Sequence, residues 1–190
     1  MSREPLYRRH LGAGWGELPA PIRRMHEVGD GLVAEGRAEV VRGRGLLARV
    51  AAAVIGAPRA GPDVPVSVSF EPTRDGERWR RSFGGRGFES RQAEGRGSWA
   101  GLIRESFGPV AIGLRCRAEG GRLVLEVVRW SLLGAPMPRS LAPYGQACER
   151  VEDGRFRFEV EMRHAWTGLI VAYRGWLEPV ATTGARRSGS

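Results

Sequence analysis

The stretch that decides the fold is residues 155–180, RFRFEVEMRHAWTGLIVAYRGWLEPV. In its first part, apolar residues at the even positions of 156–162 alternate with charged residues at the odd positions. Because successive side chains of a strand point to opposite faces, this alternation predicts a strand with one apolar and one charged face. Residues 169–177 are apolar on both faces, which is typical of a strand covered on both sides. We therefore expect two consecutive strands inside a sandwich, a barrel or a helix-covered sheet.

The chain outside this stretch repeats the alternation in short segments. Turn sequences such as Arg74-Asp75-Gly76 separate them and favour hairpins. We predict further strands at 32–41, 64–71, 78–83, 88–94, 99–107, 110–118, 123–133 and 146–151. A long antiparallel sheet normally curls or closes, because flat exposed edges invite aggregation. The predicted fold is α+β, mostly β: a curled antiparallel meander or barrel of about nine to ten strands with two N-terminal helices.

The helices are predicted in the first third of the chain. Residues 1–20 are interpreted as an irregular N-terminal arm, and 21–28 as a helix with proline in its first turn. The second helix, 46–55, reads LLARVAAAVI and is apolar nearly all round, so we expect it to be buried and to plug one end of the sheet. Residues 21–180 are predicted to form a single domain, and 181–190 a disordered tail.

The composition excludes several classes of chemistry. The formal net charge is +9, and all 30 basic residues are arginine, because the chain contains no lysine. Schiff-base catalysis and the lysine of a phosphate-binding P-loop are therefore excluded. The arginines are scattered among glutamates with no basic run longer than two, which argues against a nucleic-acid partner.

The expected compartment follows from the cysteines and from the apolar segments. Cys116 and Cys148 are too few for a disulfide framework and neither lies in a CxxC pair. No apolar run approaches the roughly 18–20 residues of a membrane-spanning helix, and no secretory signal is recognisable. A reduced, cytoplasmic setting is expected.

Three familiar motifs are incomplete in this sequence. Residues 43–48 fit GxGxx[GA] after a strand and before a helix, but the βα units of a dinucleotide-binding sheet do not follow, so the glycines are interpreted as turn residues. His10, His26 and His164 stand alone in sequence, and we predict no metal site and no cofactor. We expect His26 to be a partly buried, hydrogen-bonded residue. Ser98 lacks the GxSxG context of a serine hydrolase.

Several polar residues are predicted to share faces with apolar ones. Arg81 lies between two aromatic residues of one strand face, and His164 and Arg174 continue apolar faces of the last two strands. Glu105, Glu149 and His164 are the candidate acid–base residues. The candidate ligand-binding residues are Trp79, Arg81, Phe83, Arg86, Trp130, Tyr173, Arg174 and Trp176. The alternative interpretation, that these charges are buried structural pairs, stays open.

Residues 79–90, WRRSFGGRGFES, also carry a resemblance. Together with EVVRGRGLLARV, GPDVPVSVSF, ESFGPVAIGL, LLGAPMPRSLAP and the segment from ERVEDGRFRF to the end of the last strand, they resemble the bacterial family called domain of unknown function 4166, over roughly 11–179. The resemblance implies no specific activity. Members occur alone or behind short-chain-dehydrogenase-like or saccharopine-dehydrogenase-like domains, which implies an accessory role beside an oxidoreductase.

Three functions are compatible with these observations. The first is a binding module for a small, largely apolar ligand in a β-sheet cavity, with Arg81 or Arg174 meeting a carboxylate. The second is a cofactor-independent enzyme of the isomerase or cyclase type, using acid–base residues of the same cavity. The third is a purely structural or dimerising domain, which predicts a filled interior. The expected partners are the apolar molecule, a short-chain-dehydrogenase-like protein, or a second copy in a homodimer.

Overall fold

The structure is a computed structural model, and it describes residues 4–180. Three α-helices and eleven strands make up this part of the chain. The helices are α1 (Leu6–Leu11), α2 (Ala20–His26) and α3 (Leu46–Val54), with short 3₁₀ helices at Gly12–Glu17, Gly97–Trp99 and Arg139–Leu141. The strands are β1 (Leu32–Arg42), β2 (Gly61–Pro72), β3 (Gly76–Phe83), β4 (Arg86–Glu94), β5 (Ile103–Phe107), β6 (Val110–Glu119), β7 (Arg122–Leu132), β8 (Ala135–Pro136), β9 (Gln146–Glu152), β10 (Arg155–His164) and β11 (Gly168–Val180).

Ten of these strands close into an antiparallel barrel. Each strand pairs with its neighbours in the chain, and the two-residue β8 pairs only with β7, which continues the ring by pairing with β9. The first and last strands close the ring: β1 and β11 pair from Val33–Val180 to Arg42–Val171. The predicted mostly-β fold with N-terminal helices is confirmed, and of the two predicted forms the closed barrel is the observed one.

The N-terminal helices fill one end of the barrel, which we call the plugged end. This end holds the turns β2–β3, β6–β7 and β9–β10. Leu6, Tyr7, Ile22 and Met25 are buried there. The predicted irregular arm is therefore wrong for residues 6–17, which form α1 and a 3₁₀ helix. Leu6 and Tyr7 of α1 and Trp15 of the 3₁₀ helix are all buried. A helical segment brings these apolar side chains into the core, whereas an extended arm would leave some of them exposed.

The helix α3 lies at the opposite end of the barrel, which we call the α3 end. It follows β1 and contacts β1 and β11. The prediction that this helix is buried is wrong. Only its small-residue side, with Ala48 and Ala52 one turn apart, is buried, so the larger apolar residues of the helix remain exposed. The predicted strand 99–107 is also shorter, since β5 begins at Ile103.

The core is the interior of the barrel together with the plug. Inward-facing aliphatic and aromatic residues of all ten strands form one cluster with the buried residues of α1 and α2. Within the described part of the chain, none of the helices combines the length and apolar character needed to cross a bilayer. The predicted disordered tail, 181–190, lies outside the described residues.

Candidate functional site

The barrel encloses a cavity of about 490 Å³. It extends from Tyr7 and His26 at the plugged end to Val54 and Tyr144 at the α3 end, where both side chains are exposed. The cavity therefore reaches the protein surface at the α3 end. Most of its wall is apolar, and representative lining residues are Val66, Val68, Phe70, Phe83, Phe107, Leu125, Val127, Phe158 and Val171.

An arginine–glutamate pair stands in this apolar wall. Arg81 Nη2 donates to Glu105 Oε1 at 3.2 Å, and Arg81 Nη1 donates to Ser90 Oγ at 2.7 Å. The Ser90 hydroxyl in turn donates to Glu105 Oε1 at 2.6 Å. The guanidinium lies against the rings of Trp79 (4.7 Å) and Phe88 (5.5 Å), a favourable cation–π geometry. Adjacent strands β3, β4 and β5 thus hold this cluster in place.

A second polar pair lies where the plug meets the cavity. His26 Nε2 and Glu149 Oε2 are 2.7 Å apart, and the exposed fraction of His26 is 1%. The imidazole lies 3.9 Å from the ring of Tyr7, centroid to centroid, and the Tyr7 hydroxyl donates to Gln92 Oε1 at 2.9 Å. The other imidazole nitrogen, His26 Nδ1, is buried and has no hydrogen-bond partner among the described residues.

Burial and pairing shift the ionisation of these groups. Burial disfavours the charged form of His26, but the charge and hydrogen bond of Glu149 outweigh it, so the pKa of His26 is raised. Burial raises the pKa of Tyr7 and that of Tyr173, which keeps both phenols protonated. Burial also raises the pKa of Glu77, although Glu77 accepts a hydrogen bond from Trp79 Nε1 at 2.9 Å.

Six of the predicted site residues line the cavity together. Glu105 and Arg81 form the pair in the wall, and Glu149 holds His26. The aromatic members also meet, since the ring of Phe83 lies 5.2 Å from that of Tyr173. The six are Trp79, Arg81, Phe83, Glu105, Glu149 and Tyr173.

The other five predicted site residues lie outside the cavity. Arg86 is exposed beside the β3–β4 turn, and Trp130 Nε1 donates to the carbonyl of Pro138. At the end of β10, His164 accepts a hydrogen bond from the Trp166 amide at Nδ1 and does not line the cavity that Glu105 and Glu149 line. The remaining two, Arg174 and Trp176, are on the outer face of β11.

The outer face carries a shallow groove of about 400 Å³ that includes Arg174 and Trp176. Its arginines are already matched by carboxylates: Arg174 pairs with Glu39 at 2.8 Å, and Arg37 pairs with Asp63. The guanidinium of Arg155 covers the Trp176 ring at 4.5 Å. We therefore place the candidate site in the barrel interior and not in this groove.

Four polar residues of the two hydrogen-bonded clusters in the cavity wall were not predicted from the sequence. They are Tyr7, His26, Ser90 and Gln92. A usable signal existed for two of them, because Ser90 and Gln92 alternate with Phe88 on one face of a predicted strand. His26 was correctly expected to be hydrogen-bonded, but its partner lies 123 residues away and no local pattern points to it.

The described residues offer no site for a metal, since no three His, Cys, Asp or Glu side chains among them converge. Both cysteines are free thiols. Burial raises the pKa of the Cys116 thiol far above its usual range, and burial also raises that of Cys148. Neither thiol therefore has the thiolate character of a nucleophile.

The comparison with protein families agrees with the resemblance noted in the sequence. The family described as "Domain of unknown function (DUF4166)" matches residues 18–177, most of the barrel together with α2. The chain belongs to the DUF4166 family. Among curated proteins, no match was found. In this DUF4166 domain, the cavity and its polar pairs are the features suited to a function.

Proposed function

We propose that this DUF4166 barrel binds a small, largely apolar molecule that carries a hydrogen-bond acceptor such as a carboxylate. The observation that supports it is an apolar cavity of about 490 Å³ with a guanidinium in its wall. Ligand pockets typically measure about 300–1,000 Å³ and combine apolar walls with a few convergent polar groups. A purely structural domain would need no such space.

Arg81 is the group we expect to meet the ligand. Its bonds to Ser90 and Glu105 use two N–H donors, and a guanidinium has five. The remaining donors can bind a ligand carbonyl or carboxylate, with the guanidinium held between Trp79 and Phe88. Because Glu105 already offsets the charge of Arg81, a ligand carbonyl or a protonated carboxyl group can accept from the guanidinium without burying an unpaired anion.

The first test measures binding of oleic acid, with oleyl alcohol as its neutral counterpart. We expect oleic acid to raise the melting temperature and to displace anilinonaphthalene sulfonate. Arg81→Met should weaken oleic acid binding about ten- to hundredfold, since a hydrogen bond to a charged group contributes about 1.5–3 kcal/mol. The loss should be smaller for the alcohol. Arg174→Met, on the outer face, is the matched control and should change nothing.

A second variant removes the space and keeps the charges. Val127 lines the cavity, whereas Val124 on the same strand does not. Val127→Trp should abolish displacement of anilinonaphthalene sulfonate by oleic acid, and Val124→Trp should leave this displacement unchanged. If oleic acid binds Val127→Trp as tightly as the wild type, the ligand does not occupy the barrel and the proposal fails.

The His26–Glu149 hydrogen bond favours the enzyme as the second candidate function. A histidine oriented by a carboxylate at the wall of a ligand cavity is suited to proton transfer. Native mass spectrometry of protein from its own host would separate the two functions. If the wild type and Glu149→Gln carry the same small molecule, the barrel only binds it; different molecules would indicate a reaction.

The remaining expectations about partners are proposals as well. An accessory role beside a short-chain-dehydrogenase-like protein, a homodimer and a cytoplasmic setting all stay predictions. Co-purification with such an oxidoreductase from the host, and the mass of the particle in solution, are the measurements that test the partners.

A further inference from the structure

The helix α3 presents an apolar face to solvent. Leu46, Leu47, Val50 and Val54 lie at helical spacing and are exposed, with Leu46 at 74% and Val54 at 77% of their surface. Ala48 and Ala52 on the opposite face are buried against the barrel, and Val54 also borders the mouth of the cavity. Contiguous exposed apolar residues of this kind mark interaction sites.

The loops around α3 extend this apolar surface. Leu132 and Leu133, at the β7–β8 turn, Trp166, in the β10–β11 turn, and Tyr144, before β9, are all exposed at the same end of the barrel. The pairings of β1 with β11 and of β6 with β7 place these turns around one rim. Among the described residues, Val180 is the single large exposed hydrophobic at the plugged end.

The charges are divided between the two ends. The connections at the α3 end, 43–60, 84–85, 108–109, 133–145 and 165–167, contain no Asp or Glu. Arg44, Arg49 and Arg59 are exposed there, and none of the three forms an ion pair with a described residue. At the plugged end, by contrast, the corresponding segments carry six acidic residues, Glu4, Glu17, Glu27, Asp30, Asp75 and Asp153.

We infer that the α3 end docks on the surface of a membrane containing anionic lipids. An apolar helix face flanked by unpaired arginines is the arrangement of interfacial helices, in which the apolar side enters the headgroup region and the cations meet lipid phosphates. Trp166 belongs at such an interface, because its indole is apolar with one polar N–H. The cavity reaches the surface at this end, so an apolar ligand could pass between bilayer and barrel without crossing water.

The positive charge of the α3 end favours an anionic membrane over a second copy of the chain as its binding partner. A symmetric dimer through the α3 end would bring the unpaired arginines of both copies together with no carboxylate from these connections to offset them. An anionic bilayer provides both the apolar layer and the opposite charge.

The experiment is co-sedimentation with vesicles of phosphatidylcholine and phosphatidylglycerol in equal parts, compared with phosphatidylcholine alone. We expect binding to the anionic vesicles that weakens as salt is added. Leu46→Ser/Val50→Ser and Arg44→Gln/Arg49→Gln should each weaken it about tenfold or more. The control Arg24→Gln/Arg122→Gln removes the same charge from exposed positions at the plugged end and should bind within about twofold of the wild type.

The other outcomes overturn the inference. Absence of binding to anionic vesicles at low salt would do so, as would equal losses in the α3 and control variants, which would indicate overall charge alone. Self-association in solution that Leu46→Ser/Val50→Ser abolishes would assign the face to a second copy. The cavity-filled Val127→Trp should still bind vesicles, so failure of ligand binding and failure of docking are separate results.

Discussion

At the scale of single residues, the buried contact between His26 and Glu149 is the most consequential. It links the plug to the barrel wall across 123 residues, and a carboxylate is the partner that stabilises the imidazolium in an apolar interior. We predict that Glu149→Gln lowers the free energy of unfolding by about 3–5 kcal/mol, since it leaves the buried imidazolium of His26 without a negatively charged partner. Urea denaturation measures it, and Glu152→Gln, on the exposed end of the same strand, is the control. Equal losses in both variants would contradict the prediction.

The same contact predicts a pH dependence of stability. The folded-state pKa of His26 is raised above its unfolded value of about 6.5, so the folded protein binds the extra proton more tightly. This contribution is fully present below the unfolded pKa and is lost as the pH rises through the folded pKa. Glu77 and Tyr7 face the same ring and are both retained in His26→Phe, although Glu77 loses the charge of His26 there. The free energy of unfolding should therefore fall more steeply above about pH 6.5 in the wild type than in that variant.

At the scale of elements, α3 does not take the buried position that the sequence predicts for it, and α2 with α1 fills one end of the barrel instead. Ile22 of α2 is fully buried in the plug, whereas Val50 of α3 is more than half exposed. We predict that Ile22→Ala lowers the free energy of unfolding by about 2–5 kcal/mol, because it leaves a cavity in the core. Val50→Ala should change it by less than about 0.5 kcal/mol. Thermal and urea unfolding of the two variants test this, and a large loss in Val50→Ala would show that α3 is packed in solution.

The elements also show what the sequence could and could not specify. The period-two pattern of β2, β3 and β10 is local and predicted those strands and the inward placement of Arg81. The sequence predicted a helix at LLARVAAAVI but not its exposure to solvent, because the burial of a helix depends on which other elements of the fold pack against it. The segment around Tyr7 has no clear periodicity, and its burial depends on contacts such as that with Gln92, 85 residues away.

At the scale of the whole molecule, closure of the barrel is the property that the sequence left open. The pattern of hairpins is the same for a curled sheet and for a closed ring. What distinguishes them is the pairing of β1 with β11, the first and last strands, which alone removes both edges. The cavity depends on that pairing, since Tyr173 and Leu177 of β11 form part of its wall. Six of the eleven predicted site residues line the cavity, because alternation along a strand places every second side chain on the inner face.

The seam between β1 and β11 contains a glycine, Gly36, at a point of close backbone contact. A Cβ atom at Gly36 would collide with the carbonyl oxygen of Trp176 on the opposite strand, so the two backbones can approach there only without a side chain. We predict that Gly36→Ala lowers the free energy of unfolding by about 1–3 kcal/mol and increases hydrogen exchange of the paired amides of β1 and β11. Gly16→Ala is the control, because a Cβ there meets no atom within 4 Å. Its effect should be neutral or slightly stabilising, since alanine restricts the unfolded chain. Unchanged stability and unchanged exchange protection of β1 and β11 in Gly36→Ala would contradict the prediction. The pairing of β1 with β11 would then not depend on close backbone approach at this position.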